Sequence, residues 1–450
     1  MRRPRAQVLL VGSELIGGRK ADRNGPLLAH TAEALGHEVS GQFFVPDDKK
    51  IIAATISASE VTETSLLLIA GGLGPTSDDL TREAIADALD RDLELDPAAL
   101  VRIESRYEDR GKEMPEGARR QALVPAGAEL IPNPLGSAPG LLVRDRRMLI
   151  VALPGVPREV EAMVEREVWP RLRKEILPSI AHYSRVMRVA GLGEAEVAKR
   201  VQSVLGNRAD LSVSYLASPG EVEVALGITE SDVETAQAEL DQLIPPLRES
   251  LMPHLFDVES LPRSGEGDHH SSEEDRQHWS NLALVRTVEG LLHQHDWTLA
   301  TAESCTGGLV SRKLTDLPGS SRFFLGGVVV YHDREKEALL GVPRTLLESC
   351  GAVSAVVVKA MTQGCRDRLG ADVAVATTGI AGPGGGSSDK PVGLVYIGVQ
   401  TPEQERVTRH LFQGDRWSVR HWTAVAALDE VRRISSGLPP FGQLVEPNSR

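Results

Sequence analysis

Two stretches of the 450-residue sequence put reactive side chains beside glycine. "TAESCTGG" (301–308) sets Ser304 next to Cys305 and Thr306, ahead of Gly307 and Gly308. A nucleophile at such a turn is open to a substrate carbonyl, and the backbone N–H groups that follow can stabilise an oxyanion. A hydroxyl also needs a base, and "VVVYHDREK" offers Tyr331, His332, Asp333 and Lys336 at the end of the next strand. Three arrangements meet that need: Ser304 with Lys336, Cys305 with His332, or Ser304 with His332. His332 and Asp333 are neighbours on an extended chain and point to opposite faces, so both cannot aim at one atom. The plain alternative is a glycine-rich anion loop without chemistry, with Lys336 a solvated charge. Further on, "TTGIAGPGGGSSDKPVG" (377–393) is a second long glycine loop that can cradle phosphate, with Thr377 and Thr378 at its entrance.

The other stretch, "GGLGPTSDD" (71–79), follows an apolar run and opens a helical pattern. Its glycines let the backbone approach an anion, and Asp78 and Asp79 are of the type that holds a hard divalent cation. It contains neither a Gly-Lys-Ser/Thr phosphate loop nor a G-x-G-x-x-G turn. A helix N-terminus capped by Ser77 or Asp78 explains the same residues without a ligand. Glu14, Asp22, Asn24, Asp47 and Asp48 add polar groups at other expected strand ends.

These segments need a framework. "AQVLLVG" (6–12), "SLLLIAGG" (65–72) and "RRMLIVALPG" (146–155) read as buried strands. Helical patterns follow at 25–36, 77–90 and 157–172. Non-alternating strands, each followed by a helix, predict a parallel sheet buried on both faces, with ligands at the strands' carboxyl ends. Residues 178–259 change texture to a small α+β unit with no catalytic signature. The stretch 260–280, rich in Ser, Gly and charge, predicts a flexible linker in which His269 and His270 are solvated. After it, a helix at 281–295 and further strands and helices predict a second α/β domain to about 438, then a tail. The expected fold class is therefore α/β, with two separate α/β domains of parallel or mixed sheets (1–177 and 281–438) joined by a small α+β domain.

With 63 acidic against 50 basic residues, the net charge of −13 disfavours a nucleic-acid or anionic-membrane surface. Three cysteines suit a reducing compartment, and no run reaches the roughly 20 apolar residues of a membrane span. A cytoplasmic protein is expected.

The N-terminal motifs "GSELIGGRKADRN", "VPDD", "GGLGPTSDDLTREA", "RRQALVPAGAELIPNPLGSAPG" and "LPGVPREV" resemble the molybdopterin-binding-like domain of the CinA (competence/damage-inducible protein A) family. "TAESCTGGLVSRKLTDLPGSS", "FFLGGVVVYHDREKEALLGV", "TTGIAGPGGG", "KPVG" and "FQGDRWSVR" resemble that family's C-terminal nicotinamide mononucleotide (NMN) amidohydrolase domain. The second resemblance implies a metal-free site with Ser304 as nucleophile, Lys336 as base and Tyr331 assisting. It also implies that Thr306, Gly307, Gly308, Thr378, Gly379, Gly382, Arg416 and Arg420 hold the substrate. The first implies a metal-dependent ADP-ribose pyrophosphatase, with Asp78 and Asp79 linked to a divalent metal and Gly71, Gly72, Gly74, Thr76, Gly136 and Gly155 around the nucleotide. His332–Asp333 stands where the family typically carries Ser–Asn. The expected partners are the small-molecule nucleotides and a second copy in a homo-oligomer, a dimer; no nucleic acid and no membrane are expected. The other function class is a non-catalytic nucleotide- or molybdopterin-binding regulatory protein linked to competence or DNA damage.

Overall fold

The non-alternating apolar runs are strands with both faces covered. The computed structural model describes residues 3–108, 111–175, 181–208, 210–230, 232–260 and 273–445. Contacts divide the chain into two compact units, one built on Met1–Tyr183 and one on Ser184–Ile228, Ala238–Leu261 and Trp279–Arg450.

The first unit contains β1 (Arg5–Val11), β2 (Glu38–Val45), β3 (Thr64–Ala70), β4 (Leu93–Leu95), β5 (Leu123–Pro125), β6 (Glu129–Ile131), β7 (Gly140–Asp145) and β8 (Met148–Leu153). Its main sheet has the order β2-β1-β3-β8-β7-β6, parallel from β2 to β8 and antiparallel at β7 and β6. Val8, Leu10, Leu66 and Leu68 pack on one face with Leu27 and Leu28 of the helix Asn24–Ala34. Leu9, Leu67 and Ile69 pack on the other with Ile52, Ile56 and Ile85. Each such side chain contributes about 1.5–3 kcal/mol by leaving water, which is why the strands show no polar alternation.

The second unit holds two sheets. β9 (Ala181–Ala190), β10 (Leu211–Ser218), β11 (Glu221–Glu230) and β12 (Leu255–Ser260) form one in the order β10-β11-β9-β12. β13 (Leu299–Glu303), β14 (Phe324–Val329), β15 (Val373–Gly379), β16 (Leu394–Gln400), β17 (Glu405–Leu411) and β18 (Gln443–Leu444) form the other, in the order β14-β13-β15-β16-β17-β18. β13 is parallel to β14 and β15, while β16 and β17 are antiparallel. The chain leaves β13 for β14 on one side and then crosses to β15 on the other. That reversal opens a crevice at the carboxyl end of β13, where Ser304 begins. The small sheet is tied to the larger one: Arg432 Nη2 donates to Pro253 O at 2.8 Å, and Gly220 abuts Val425.

Three expectations shift. The helix expected from 77 starts at Thr81, and Ser77 and Asp78 do not cap it. The expected linker is shorter at its end, because a helix runs from Glu273 to His295. The remainder of that segment, 261–272 with His269 and His270, lies outside the described residues. Among the described residues no helix is long and apolar enough to cross a membrane.

Burial lowers His37 to about 4 and His410 to about 3. In the unfolded chain an imidazole takes a proton near 6.5, so the unfolded state binds more protons as acid is added. This contribution to stability is complete above about pH 6.5 and is lost as the pH falls toward 4. Thermal unfolding followed from pH 7.5 to 5 should show a falling midpoint, and replacing either histidine with phenylalanine should flatten the trend.

Candidate active site

Ser304 directly follows the fully buried β13 and is itself 8% exposed. Its backbone N–H donates to Thr377 O at 3.0 Å, which fastens the turn to the end of β15. Its hydroxyl makes no hydrogen bond among the described residues, so a nucleophile stands there without a structural duty. The backbone N–H groups of Cys305 and Thr306 donate to no oxygen among the described residues and meet only the Cys305 sulfur. They are the pair available to an oxyanion beside Ser304.

The two glycines differ from what the resemblance implied. Gly307 N donates to Ser304 O at 3.2 Å and Gly308 N to Glu303 Oε2 at 2.8 Å, so neither N–H is free for phosphate. The cause is Glu303, 1% exposed, to which sequence reasoning gave no role. Its carboxylate also accepts from Val310 N at 3.1 Å, Ser311 N at 2.8 Å and Ser311 Oγ at 2.7 Å. One anion therefore satisfies the first turn of the helix Leu309–Thr315 from inside the fold. The signal was present in the sequence as an acid just ahead of a glycine turn that opens a helix. Gly308 sits at φ +97°, a conformation a side chain resists.

Lys336 is 1% exposed on the helix Asp333–Leu340. Its Nζ donates to Asp333 Oδ1 at 3.1 Å and to Tyr331 O at 3.4 Å, and not to Ser304. The expected serine–lysine pair is thus present but not hydrogen-bonded, with Asp333 holding the amine. His332 caps the same helix, its Nδ1 accepting from Arg334 N at 3.2 Å, which spends the ring nitrogen that a base would need.

Tyr331, 59% exposed, accepts at its hydroxyl from Arg416 Nη2 at 2.6 Å, and Arg416 Nη1 donates to Gly382 O at 2.7 Å. Arg420, one turn further along the helix Arg416–Ser435, donates to Thr306 O at 2.7 Å. These two arginines draw together the Ser304 turn, the strand end at Tyr331 and the 380–393 loop. Thr306 Oγ1 pairs with Thr377 Oγ1 at 2.8 Å, and Thr378 Oγ1 donates to Ala352 O at 2.8 Å. Both hydroxyls are committed within the fold, so their part is to shape the site. Gly379 is a packing glycine, because a Cβ there would lie 2.8 Å from Leu394 O.

Cys305 is buried, and desolvation pushes its thiol up to about 12. A thiolate is the reactive form of cysteine, so Cys305 is inert at neutral pH. Iodoacetamide at pH 8 should leave Cys305 unmodified in the folded protein, as peptide mapping would read; its alkylation in parallel with loss of activity would restore it as a nucleophile.

In the first unit, the carboxyl ends of β1, β3 and β8 meet at Gly71, whose N–H donates to Leu153 O at 3.0 Å. Gly71 sits at φ +109°, and a Cβ there would lie 2.2 Å from Val11 O. From this point the loop is strapped from behind by its carbonyls. Thr81 Oγ1 holds Gly71 O at 2.7 Å, Arg82 Nη2 holds Leu73 O at 2.6 Å, and Arg120 holds Thr76 O and Asp79 O at 2.9 and 3.2 Å. The N–H groups of Gly72, Leu73 and Gly74 are left without an acceptor among the described residues, a nest suited to an anion. Arg82 and Arg120 had no role in the sequence reading. Gly155 O accepts from Asn24 Nδ2 at 3.0 Å, and Gly136 N donates to Asn133 Oδ1 at 2.7 Å.

The carboxylates expected at a metal are mostly occupied with backbone. Asp79 Oδ2 accepts from Thr76 N and Oγ1 at 2.8 and 2.5 Å. Asp22 accepts from Asn24 N, Asp47 from Ser13 N and Asp48 from Lys50 N. Asp78 is exposed, and among the described residues no three His, Cys, Asp or Glu side chains gather to hold a metal ion. The donor set does not fit a preformed cation site.

Three family models match in chain order: "Probable molybdopterin binding domain" over residues 7–174, "Damage-inducible protein CinA KH domain" over 184–256 and "CinA C-terminal domain" over 281–435. A putative competence-damage inducible protein of Caldicellulosiruptor bescii is 37% identical, covering 95% of this chain and 98% of its own. A CinA-like protein of Koribacter versatilis is 37% identical over 95% of this chain and 99% of its own. The crystal structure of the protein CinA of Thermoplasma acidophilum aligns at 32% identity and TM-score 0.35, over 38% of this chain and 97% of that one. With three domain matches in sequence and full-length relatives of these names, the chain belongs to the CinA family.

Proposed function

We propose that the C-terminal sheet carries a nicotinamide-nucleotide amidohydrolase that converts NMN and water to nicotinate mononucleotide and ammonia. The observation that carries this reading is the Ser304 hydroxyl at the carboxyl end of β13, without a hydrogen bond among the described residues, flanked by two N–H groups that no oxygen accepts from, with a buried lysine on the helix after the neighbouring strand. Lys336, as the free amine, swings from Asp333 and takes the Ser304 proton while Oγ attacks the carboxamide carbon. The carbonyl oxygen becomes an oxyanion and accepts from the Cys305 and Thr306 N–H groups. Collapse breaks the C–N bond, and Lys336 returns the proton to the departing nitrogen, which leaves as ammonia. Water, deprotonated by the same amine, then cleaves the serine ester and regenerates Ser304. Arg416 and Arg420 favour the phosphate of the substrate by charge. The test is ammonia release from NMN by the purified chain.

A second reading concerns the first unit, supported by the free N–H groups of Gly72, Leu73 and Gly74: an ADP-ribose pyrophosphatase-like site that binds a phosphate there. Among the described residues the carboxylates there do not form a preformed cation site. Hydrolysis of ADP-ribose, followed with added divalent cations and with chelator, tests this half. Binding of both nucleotides without turnover would favour the non-catalytic regulatory reading.

A further inference from the structure

Asp333 Oδ1 at 3.1 Å and Tyr331 O at 3.4 Å are the acceptors of Lys336 Nζ among the described residues. Asp333 and Lys336 stand three apart on one helix, where side chains meet across a turn. The backbone of the lysine is pinned: its N–H donates to His332 O at 3.3 Å and its carbonyl accepts from Val342 N at 3.2 Å. Any approach of the amine to Ser304 is therefore left to the side-chain torsions, and it must first break the contact with the carboxylate.

Asp333 has no other duty in the fold. It opens the helix Asp333–Leu340, yet the ring of His332 caps that helix by accepting from Arg334 N at 3.2 Å. Its side chain stands half in solvent, while Lys336 is buried. The other charges around the site are spent elsewhere. Arg334 turns to Glu335 at 3.0 Å, and Glu303 is taken by Gly308, Val310 and Ser311. Arg416 and Arg420 hold Gly382 O, the Tyr331 hydroxyl and Thr306 O. Among the described residues Asp333 is thus the one acid in contact with the lysine. A carboxylate beside an amine favours the ammonium, which has no lone pair to take a proton. The contact that places this amine also disarms it.

We propose that Asp333 is a brake on the base. It holds Lys336 as an ammonium away from the Ser304 hydroxyl, so the serine is activated only in the fraction of molecules where the pair has parted. The inference rests on Lys336 serving as base in the proposed amidohydrolase. Asp333 is a positioning residue, acting on the nucleophile through Lys336.

The test reads Ser304 without a nucleotide, by its reaction with a fluorophosphonate. The Oγ–P bond forms as the P–F bond breaks, fluoride leaves, and the hydroxyl proton passes to Lys336. Labelling of the full chain is followed by the mass of the peptide that carries Ser304. Asp333→Asn keeps the size of the side chain and drops its charge, and its unfolding midpoint should match the wild type. It should label about fivefold faster, the scale of a half-exposed ion pair. The kcat for NMN should rise by the same factor with KM unchanged. The double variant Asp333→Asn/Lys336→Met should label no faster than Lys336→Met, since a brake has nothing to release once the base is gone. An equal or slower rate in Asp333→Asn, or a gain that survives in the double variant, overturns the brake. Faster, Lys336-dependent labelling with no ammonia released from NMN by either protein keeps the brake and removes the substrate reading. Ammonia release from NMN, with labelling insensitive to Asp333→Asn, does the reverse.

Discussion

Ser304→Ala is expected to lower ammonia release from NMN by about 10³- to 10⁶-fold in kcat, with KM little changed. The hydroxyl makes no structural hydrogen bond, so its removal should leave the unfolding midpoint where it was. Lys336→Ala should lose activity to a similar extent, because base and nucleophile act as a unit and their losses do not add. Its burial at 1% exposure makes that variant less clean for folding, and Lys336→Met, which keeps the stem, is the better partner experiment. Cys305→Ala should stay within about tenfold of wild type, since the buried thiol serves only as packing. Full activity in Ser304→Ala together with loss in Cys305→Ala would overturn the assignment. The double variant Ser304→Ala/Lys336→Met should be no slower than the worse of the two singles, a result that independent binding residues would not give.

Glu303→Ala is expected to cost about 3–5 kcal/mol of stability, more than any other single change at the site. Its carboxylate accepts four hydrogen bonds from Gly308, Val310 and Ser311, all from the turn and helix that follow the nucleophile. Removing it leaves three N–H groups without their acceptor, that of Val310 fully buried, while the Ser311 hydroxyl keeps Thr301 Oγ1 as a partner. For a unit of this size the unfolding midpoint should fall by roughly 10 °C. Glu303→Gln is the more informative variant. One oxygen remains, while the new NH2 group faces donors, so the variant should fold yet lose part of kcat because the Cys305 and Thr306 N–H groups lose their fixed aim. A midpoint within about 1 kcal/mol of wild type in Glu303→Ala would show that the turn holds without its acid.

The sequence by itself determined the α/β layers, because strands covered on both faces by helices run apolar without polar alternation, as "VLLV" in β1 and "LLLIA" in β3 do. It also placed the candidate groups: Ser304 and the glycine loops at 71 and 380 follow the carboxyl ends of strands, and Lys336 lies on the helix that follows β14. Family membership was legible for the same reason, since several motifs occur in one order along the whole chain. What the tertiary structure alone decided is how each polar group is spent. Gly307 and Gly308 looked like phosphate donors until Glu303 and Ser304 O took their N–H groups. Asp78 and Asp79 looked like a metal pair until Thr76 claimed Asp79 and no third ligand stood beside them among the described residues. Lys336 looked like a ready base until Asp333, three residues away on one helical turn, held its amine. Composition and spacing give a side chain's chemistry, but a hydrogen bond or ion pair is settled by distances of a few ångströms between residues often far apart in the chain. Those distances exist only once the chain has folded.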